Sequence, residues 1–117
     1  MIAVLFEAIP AEGKRDDYLS LAAQLKGQLT HSEGFISIER FESLAEPGKI
    51  LSLSFWQDEE SVARWRRQAE HREAQEKGRA SIFVFYRLRV AAVLRDYDKA
   101  NRDQAPHDSR HFHSKKN

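Results

Sequence analysis

Cysteine is absent from the 117 residues. That excludes disulfides, thiolate nucleophiles and Cys-ligated zinc or iron–sulfur centres. Long apolar runs are absent as well. The opening Met1-Ile2-Ala3-Val4-Leu5-Phe6 stops at Glu7 with no basic segment before it, unlike a secretory leader. No stretch approaches the roughly 20 apolar residues of a membrane-crossing helix. Charge of one sign is missing too: 19 Lys+Arg stand against 18 Asp+Glu, a net +1. Such a balance gives no bulk attraction to nucleic acid or to an anionic membrane. With 5 Gly and 3 Pro, the chain is not low-complexity or collagen-like. There is no Gly-rich phosphate loop, nucleophile elbow or HExxH pair. These absences predict a soluble, cytoplasmic protein with no nucleic-acid, membrane or metal partner.

What is present is the pattern of one small domain. Hydrophobic residues make up 41% of the chain, enough for a core without covalent staples. Residues 2–9 alternate as a strand with apolar groups on both faces. Pro10 and Gly13 interrupt it. Tyr18, Leu21, Ala22, Leu25 and Leu29 fall at helical spacing, predicting an amphipathic helix over 16–30. Residues 35–43 and 50–57 flank Pro47-Gly48 and predict an antiparallel hairpin. Period two puts Phe35, Ser37, Glu39 and Phe41 on one face of its first strand, and Ile36, Ile38, Arg40 and Glu42 on the other. In the second strand Leu51, Leu53 and Phe55 oppose Ser52, Ser54 and Trp56. Asp58 suits an N-cap, with Val62, Trp65 and Ala69 as the stripe of a helix that stops at Gly78. Residues 82–95 form a long final strand, with Ile82, Val84, Tyr86 and Leu88 on one face and Phe83, Phe85, Arg87 and Arg89 on the other. Residues 98–117 are polar and nonperiodic, and read as a flexible tail.

The order β-α-β-β-α-β is the ferredoxin-like α+β arrangement, an antiparallel sheet with helices on one face, here over residues 1–97. Strands apolar on both faces leave the second face bare, so a homodimer packed sheet to sheet is expected.

Several side chains suit chemistry, and each also has a plain structural reading. Trp65 is either core or an aromatic wall for a flat substrate. His71 has the intrinsic pKa best placed for acid–base work, or is an exposed residue among Glu70, Arg72 and Glu73. Arg40, Arg87 and Arg89 can steady an oxyanion or pair with nearby acids. Tyr86 can hydrogen-bond a substrate oxygen or simply pack, and Trp56 is a candidate of the same kind. Glu7 is the odd acid in an apolar strand, a base if buried and merely solvated at a rim. His107, His111 and His113 sit in the tail, a weak frame for a metal.

Four pieces occur in the order found in a known family: Gly34-Phe35, Arg40-Phe41, Leu51-Ser52-Leu53-Ser54-Phe55-Trp56-Gln57-Asp58-Glu59-Glu60, and Trp65 with His71. Over residues 1–97 the chain resembles the antibiotic-biosynthesis-monooxygenase family of dimeric α+β barrels. The resemblance implies a cofactor-independent monooxygenase that uses O₂ to oxidise an electron-rich aromatic, a quinol or anthrone. It implies His71 and Trp65 as catalytic residues, to which the chemistry of a strand arginine adds Arg40. It implies Ser61, four residues before the tryptophan, as a substrate contact, and Tyr86, Trp56, Glu7 and Arg87 are added as contacts by their own side-chain chemistry. The haem degraders of this family use an Asn on the first strand, a helix Trp and a later His. Here the first strand has Glu7 and no Asn, and the residue ten after Trp65 is Gln75. The alternatives are a haem-degrading monooxygenase, or a dimeric module that binds haem or another small molecule without turnover.

Overall fold

A computed structural model describes residues 1–75 and 82–109, with the side chains of residues 70–75 excepted. Four strands and two helices follow in the order β1 (Ile2–Pro10), α1 (Arg15–Leu29), β2 (Phe35–Glu42), β3 (Ile50–Trp56), α2 (Glu59–Gln75) and β4 (Phe83–Ala92). The sheet order is β2-β3-β1-β4 and every neighbouring pair is antiparallel. This is the ferredoxin-like α+β arrangement the sequence predicts. Gly78, the expected stop of α2, lies outside the described residues.

Both helices cover one face of the sheet, and the core lies between them. Leu29 of α1, Trp56 of β3 and Val62 of α2 form its centre, with Ile2, Val4, Phe35, Ile38 and Trp65 packed around it. The start of α2 is tied down tightly. Asp58 caps it by accepting from the backbone N–H of Ser61 (2.8 Å) and from its hydroxyl (2.7 Å). Gly34 abuts this corner with φ +83°, and a Cβ there would lie 2.6 Å from the Ser61 Cβ. The backbone N–H of Gln57 donates to the Gly34 carbonyl (2.8 Å), so the entry to β2 is locked against the exit of β3.

Strict alternation fails at two places, and both are irregular in register. On β2, Phe35 pairs with Trp56 and Ser37 with Phe55, leaving Ile36 as the extra residue. Phe35 therefore shares the helix-side face with Ile38 and meets Trp56 edge-on at 5.3 Å, whereas period two set it opposite. On β4, Ile9 pairs with Phe85 and Pro10 with Phe83, so Val84 is skipped and 72% exposed. Phe83 then joins Tyr86 and Phe6 on the helix side. Proline explains the second slip, because Pro10 has no N–H to give the ladder.

Beyond β4 the Val93 N–H donates to the Met1 carbonyl (3.0 Å). Residues 96–109 carry bonds of their own. The Asp98 carboxylate accepts from the N–H groups of Ala100 (2.9 Å) and Asn101 (2.6 Å). The Arg102 guanidinium lies 4.8 Å from the Tyr97 ring. Among the described residues no helix is long and apolar enough to cross a membrane.

Candidate active site

The helix-side face is not covered evenly. Over β3 it is closed, where Ile50, Ser52, Ser54 and Trp56 are all buried, while Phe35, Ile38 and Arg40 of β2 are half-buried. Over β4 it is open, with Tyr86 64%, Leu88 51% and Val90 46% exposed. Leu88 is the cross-strand partner of Phe6 and Tyr86 of Ala8, so this row continues into β1. Phe83 links the floor to α1, with ring centroids 5.7 Å from Phe6, 6.1 Å from Tyr86 and 5.3 Å from Tyr18. Trp65 of α2 stands against Trp56 at 6.4 Å, on the boundary of core and open face. The result is an exposed apolar row edged by aromatic rings.

Two polar pairs sit in the closed part. The Ser54 hydroxyl accepts from the Trp56 indole N–H (2.9 Å). The Ser52 and Tyr18 hydroxyls share a bond of 3.0 Å. Arg40 pairs with Ser52 across the strands, and its Nε is buried with no hydrogen-bond partner among the described residues.

The residues singled out from sequence divide into four groups. Trp65 and Tyr86 come to the open face, and Arg40 shares that side of the sheet. His71 lies on α2, but its side chain is outside the described residues. Trp56 and Ser61, both 2% exposed, serve the core and the helix cap. Glu7 and Arg87 are cross-strand partners on the opposite face. There Glu7 pairs with Lys49 (3.2 Å) and Arg89 (3.1 Å). The Lys49 hydrogen bond, helped by the charges of Lys49, Arg89 and Arg87 and opposed by desolvation, holds the Glu7 carboxyl below its ordinary 4.5. That makes Glu7 a poorer base than a free glutamate. The sequence reading passed over Tyr18 and Ser52. Tyr18 reads as part of an apolar helical stripe, and Ser52 only as a member of the strand face that carries Ser54 and Trp56.

The outer face has a cleft of about 340 Å³, where Ile36, Phe55 and Met1 meet Val93, Arg95 and Asp96. It lies on the other side of the sheet from Trp65 and Tyr86. Its lining is continuous with the apolar outer face. Among the described residues no group of three or more His, Asp or Glu could hold a metal ion.

Similarity to known proteins agrees with this geometry. The sequence profile of the antibiotic biosynthesis monooxygenase family matches residues 1–77. A jasmonate monooxygenase from Pyricularia oryzae is 50% identical over 93 residues, which is 80% of this chain and 43% of that protein. This chain thus spans less than half of that relative's length. An uncharacterised Bacillus subtilis protein, YqjZ, is 29% identical over 93 residues, 80% of this chain and 79% of its own. Among solved structures, a Mycobacterium tuberculosis protein superposes with a TM-score of 0.71 at 14% identity, covering 83% of this chain and 98% of that one. The heme-degrader MhuD of the same organism, solved with two hemes bound in its active site, gives 0.68 at 13% identity, over 84% of this chain and 100% of its own. At such identities the likeness is one of fold. The profile match and the 50% identical relative carry the conclusion that this chain belongs to the antibiotic biosynthesis monooxygenase family, a family of oxidoreductases.

Proposed function

We propose that this chain is a homodimeric monooxygenase acting on a small, cyclic, largely apolar compound held between Trp65 and β4. A jasmonate-like oxo acid is the first substrate, from the name of the 50% identical relative. The quinol or anthrone class expected from sequence is the second. The observation that carries the reading is the open apolar row Tyr86–Leu88–Val90 on the helix-side face, where a monomer's own helices leave binding surface bare.

The two substrate classes differ in electron supply. An anthrone oxidised to a quinone gives all four electrons needed to reduce O₂, so one oxygen enters the ring and the other leaves as water. Hydroxylation of an oxo acid draws two electrons from the substrate and two from an added donor. In either case the chain's part is to hold the ring against Trp65, exclude water, and accept a proton, the last assigned to His71. The homodimer is supported by the outer face, where Ile36 (51%), Phe41 (44%) and Phe85 (40%) are exposed beside Leu51, Leu53 and Phe55.

The test is O₂ consumption with jasmonic acid, with and without a reduced nicotinamide donor, and with a panel of quinols and anthrones. Uptake above autoxidation that falls at least about tenfold in His71→Ala and Trp65→Ala supports the reading. Uptake unchanged in both variants removes this surface from the chemistry.

A further inference from the structure

Two buried donors stand side by side on the helix-side face without enough acceptors. Arg40 and Ser52 are cross-strand partners, so their side chains leave the sheet on the same side about 5 Å apart. The Arg40 Nε–H is shut away from solvent and unanswered among the described residues. Beside it, Ser52 (7% exposed) and Tyr18 (5% exposed) share a single hydrogen bond of 3.0 Å. Each hydroxyl carries one proton, and the shared bond uses one of the two. The other has no acceptor among the described residues. Native interiors rarely leave such groups unanswered, and when they do a ligand or a water is the usual reason.

Both groups are donors, one carries a full positive charge, and no carboxylate is bonded to either among the described residues. What fits is an acceptor-only anion. The row across the sheet runs Arg40, Ser52, Phe6, Leu88, each the cross-strand partner of the next. Two strand spacings separate Arg40 from Phe6, roughly 10 Å. The arginine side chain covers part of that distance, and a small ring with a short acid arm covers the rest. Tyr18 stands at the join, its hydroxyl on Ser52 and its ring on Phe83.

We infer that Arg40, Ser52 and Tyr18 form a carboxylate subsite, which anchors the acid arm of a cyclic oxo acid while the ring lies over Phe6 and Leu88. The inference rests on the reading of the open face as the substrate surface. It gives Arg40 a binding role at the end of the substrate remote from Trp65. It brings in Tyr18 and Ser52, whose hydroxyls already share a hydrogen bond.

The test is equilibrium binding of jasmonic acid and of its methyl ester to the full chain, followed by tryptophan fluorescence and calorimetry. The wild type should prefer the acid by about tenfold, the worth of a charge-assisted hydrogen bond to a carboxylate. Arg40→Gln should bring the ratio close to one while the ester binds as before. Tyr18→Phe keeps the ring against Phe83 and should lower the ratio severalfold. Arg40→Lys should restore part of the preference, and unchanged near-ultraviolet circular dichroism checks that each variant is folded. Equal binding of acid and ester by the wild type overturns the subsite and leaves the open face standing. A preference that survives Arg40→Gln does the same and assigns the buried donors to water. Binding of neither compound overturns the subsite together with the substrate reading on which it rests.

Discussion

The two faces of the sheet invert the usual expectation about what is buried. On β3 the residues under the helices are Ile50, Ser52, Ser54 and Trp56, all buried, while Leu51, Leu53 and Phe55 on the other face are only half-buried. The serines are inside because α1 and α2 lie on that face and because each hydroxyl has a partner, Tyr18 for one and Trp56 for the other. The leucines are half-covered because neither helix lies on their face. Polarity by residue type therefore says little about which face is the core. What decides is which face receives the helices, and whether the polar groups there can be bonded. The outer face, apolar yet bare, is the surface proposed to meet a second copy.

The largest expected effect comes from breaking the outer face. Leu53→Asp places a carboxylate where two copies would meet, and an uncompensated buried charge costs about 3–5 kcal/mol. Sedimentation should show single chains at concentrations where the parent is a dimer, with secondary structure retained by circular dichroism. A variant as dimeric as the parent would move the interface elsewhere. The helix-side face is probed by making it more apolar. Ser54→Ala leaves the Trp56 indole N–H buried without an acceptor, and destabilisation by about 1–3 kcal/mol is expected in urea unfolding. If serine alternation were incidental, that substitution would be neutral or favourable.

Much of this fold is readable from periodicity because the elements are separated by clear punctuation. Pro10 with Gly13, Gly34, and Pro47-Gly48 bound the strands, and each predicted element lies within a few residues of the observed one. Period two could not carry the faces of Phe35 and Phe83. One skipped residue reverses a side chain, and the slips at Ile36 and Val84 are fixed by pairing with distant strands. The site was half readable. Trp65 and Tyr86 stand out as large aromatics on periodic faces. Glu7, an acid in an apolar strand, reads equally as a buried base or a solvated rim residue, and its partner Lys49 is set by the fold and not by nearness in sequence. Tyr18 and Ser52 needed the packing of α1 on β3 before they could be paired at all.

A smaller effect is expected at the corner joining the two faces. Asp58→Ala removes the acceptor for the Ser61 N–H and hydroxyl at the start of α2, and loss of an N-cap costs about 1 kcal/mol. Ser61→Ala, which keeps the backbone bond, should cost less. An order reversed between the two would mean that the Ser61 hydroxyl, set against Gly34, matters more than the cap.

The smallest effect lies in the charges of the outer face, and its pH dependence sharpens the contrast. Glu7 is held below its ordinary 4.5, first by the Lys49 hydrogen bond, and Lys49 is held above its ordinary 10.5, first by Glu7. A lowered carboxyl contributes stability above 4.5 and loses it as the pH falls through its folded value. A raised ammonium contributes below 10.5 and loses it as the pH rises through its folded value. Between those limits the pair is intact and stability should be flat with respect to it. In Glu7→Gln the carboxyl contribution disappears and the acid slope shrinks. The side chains of Glu7 (24%) and Lys49 (27%) retain some solvent contact, so salt should screen the pair in a monomeric background such as Leu53→Asp. In the proposed dimer a second sheet would exclude that solvent, and the acid slope should become steeper and less sensitive to salt. Urea titrations of both backgrounds at low and high salt measure this directly. Equal salt sensitivity in the two would show that the second copy does not cover Glu7.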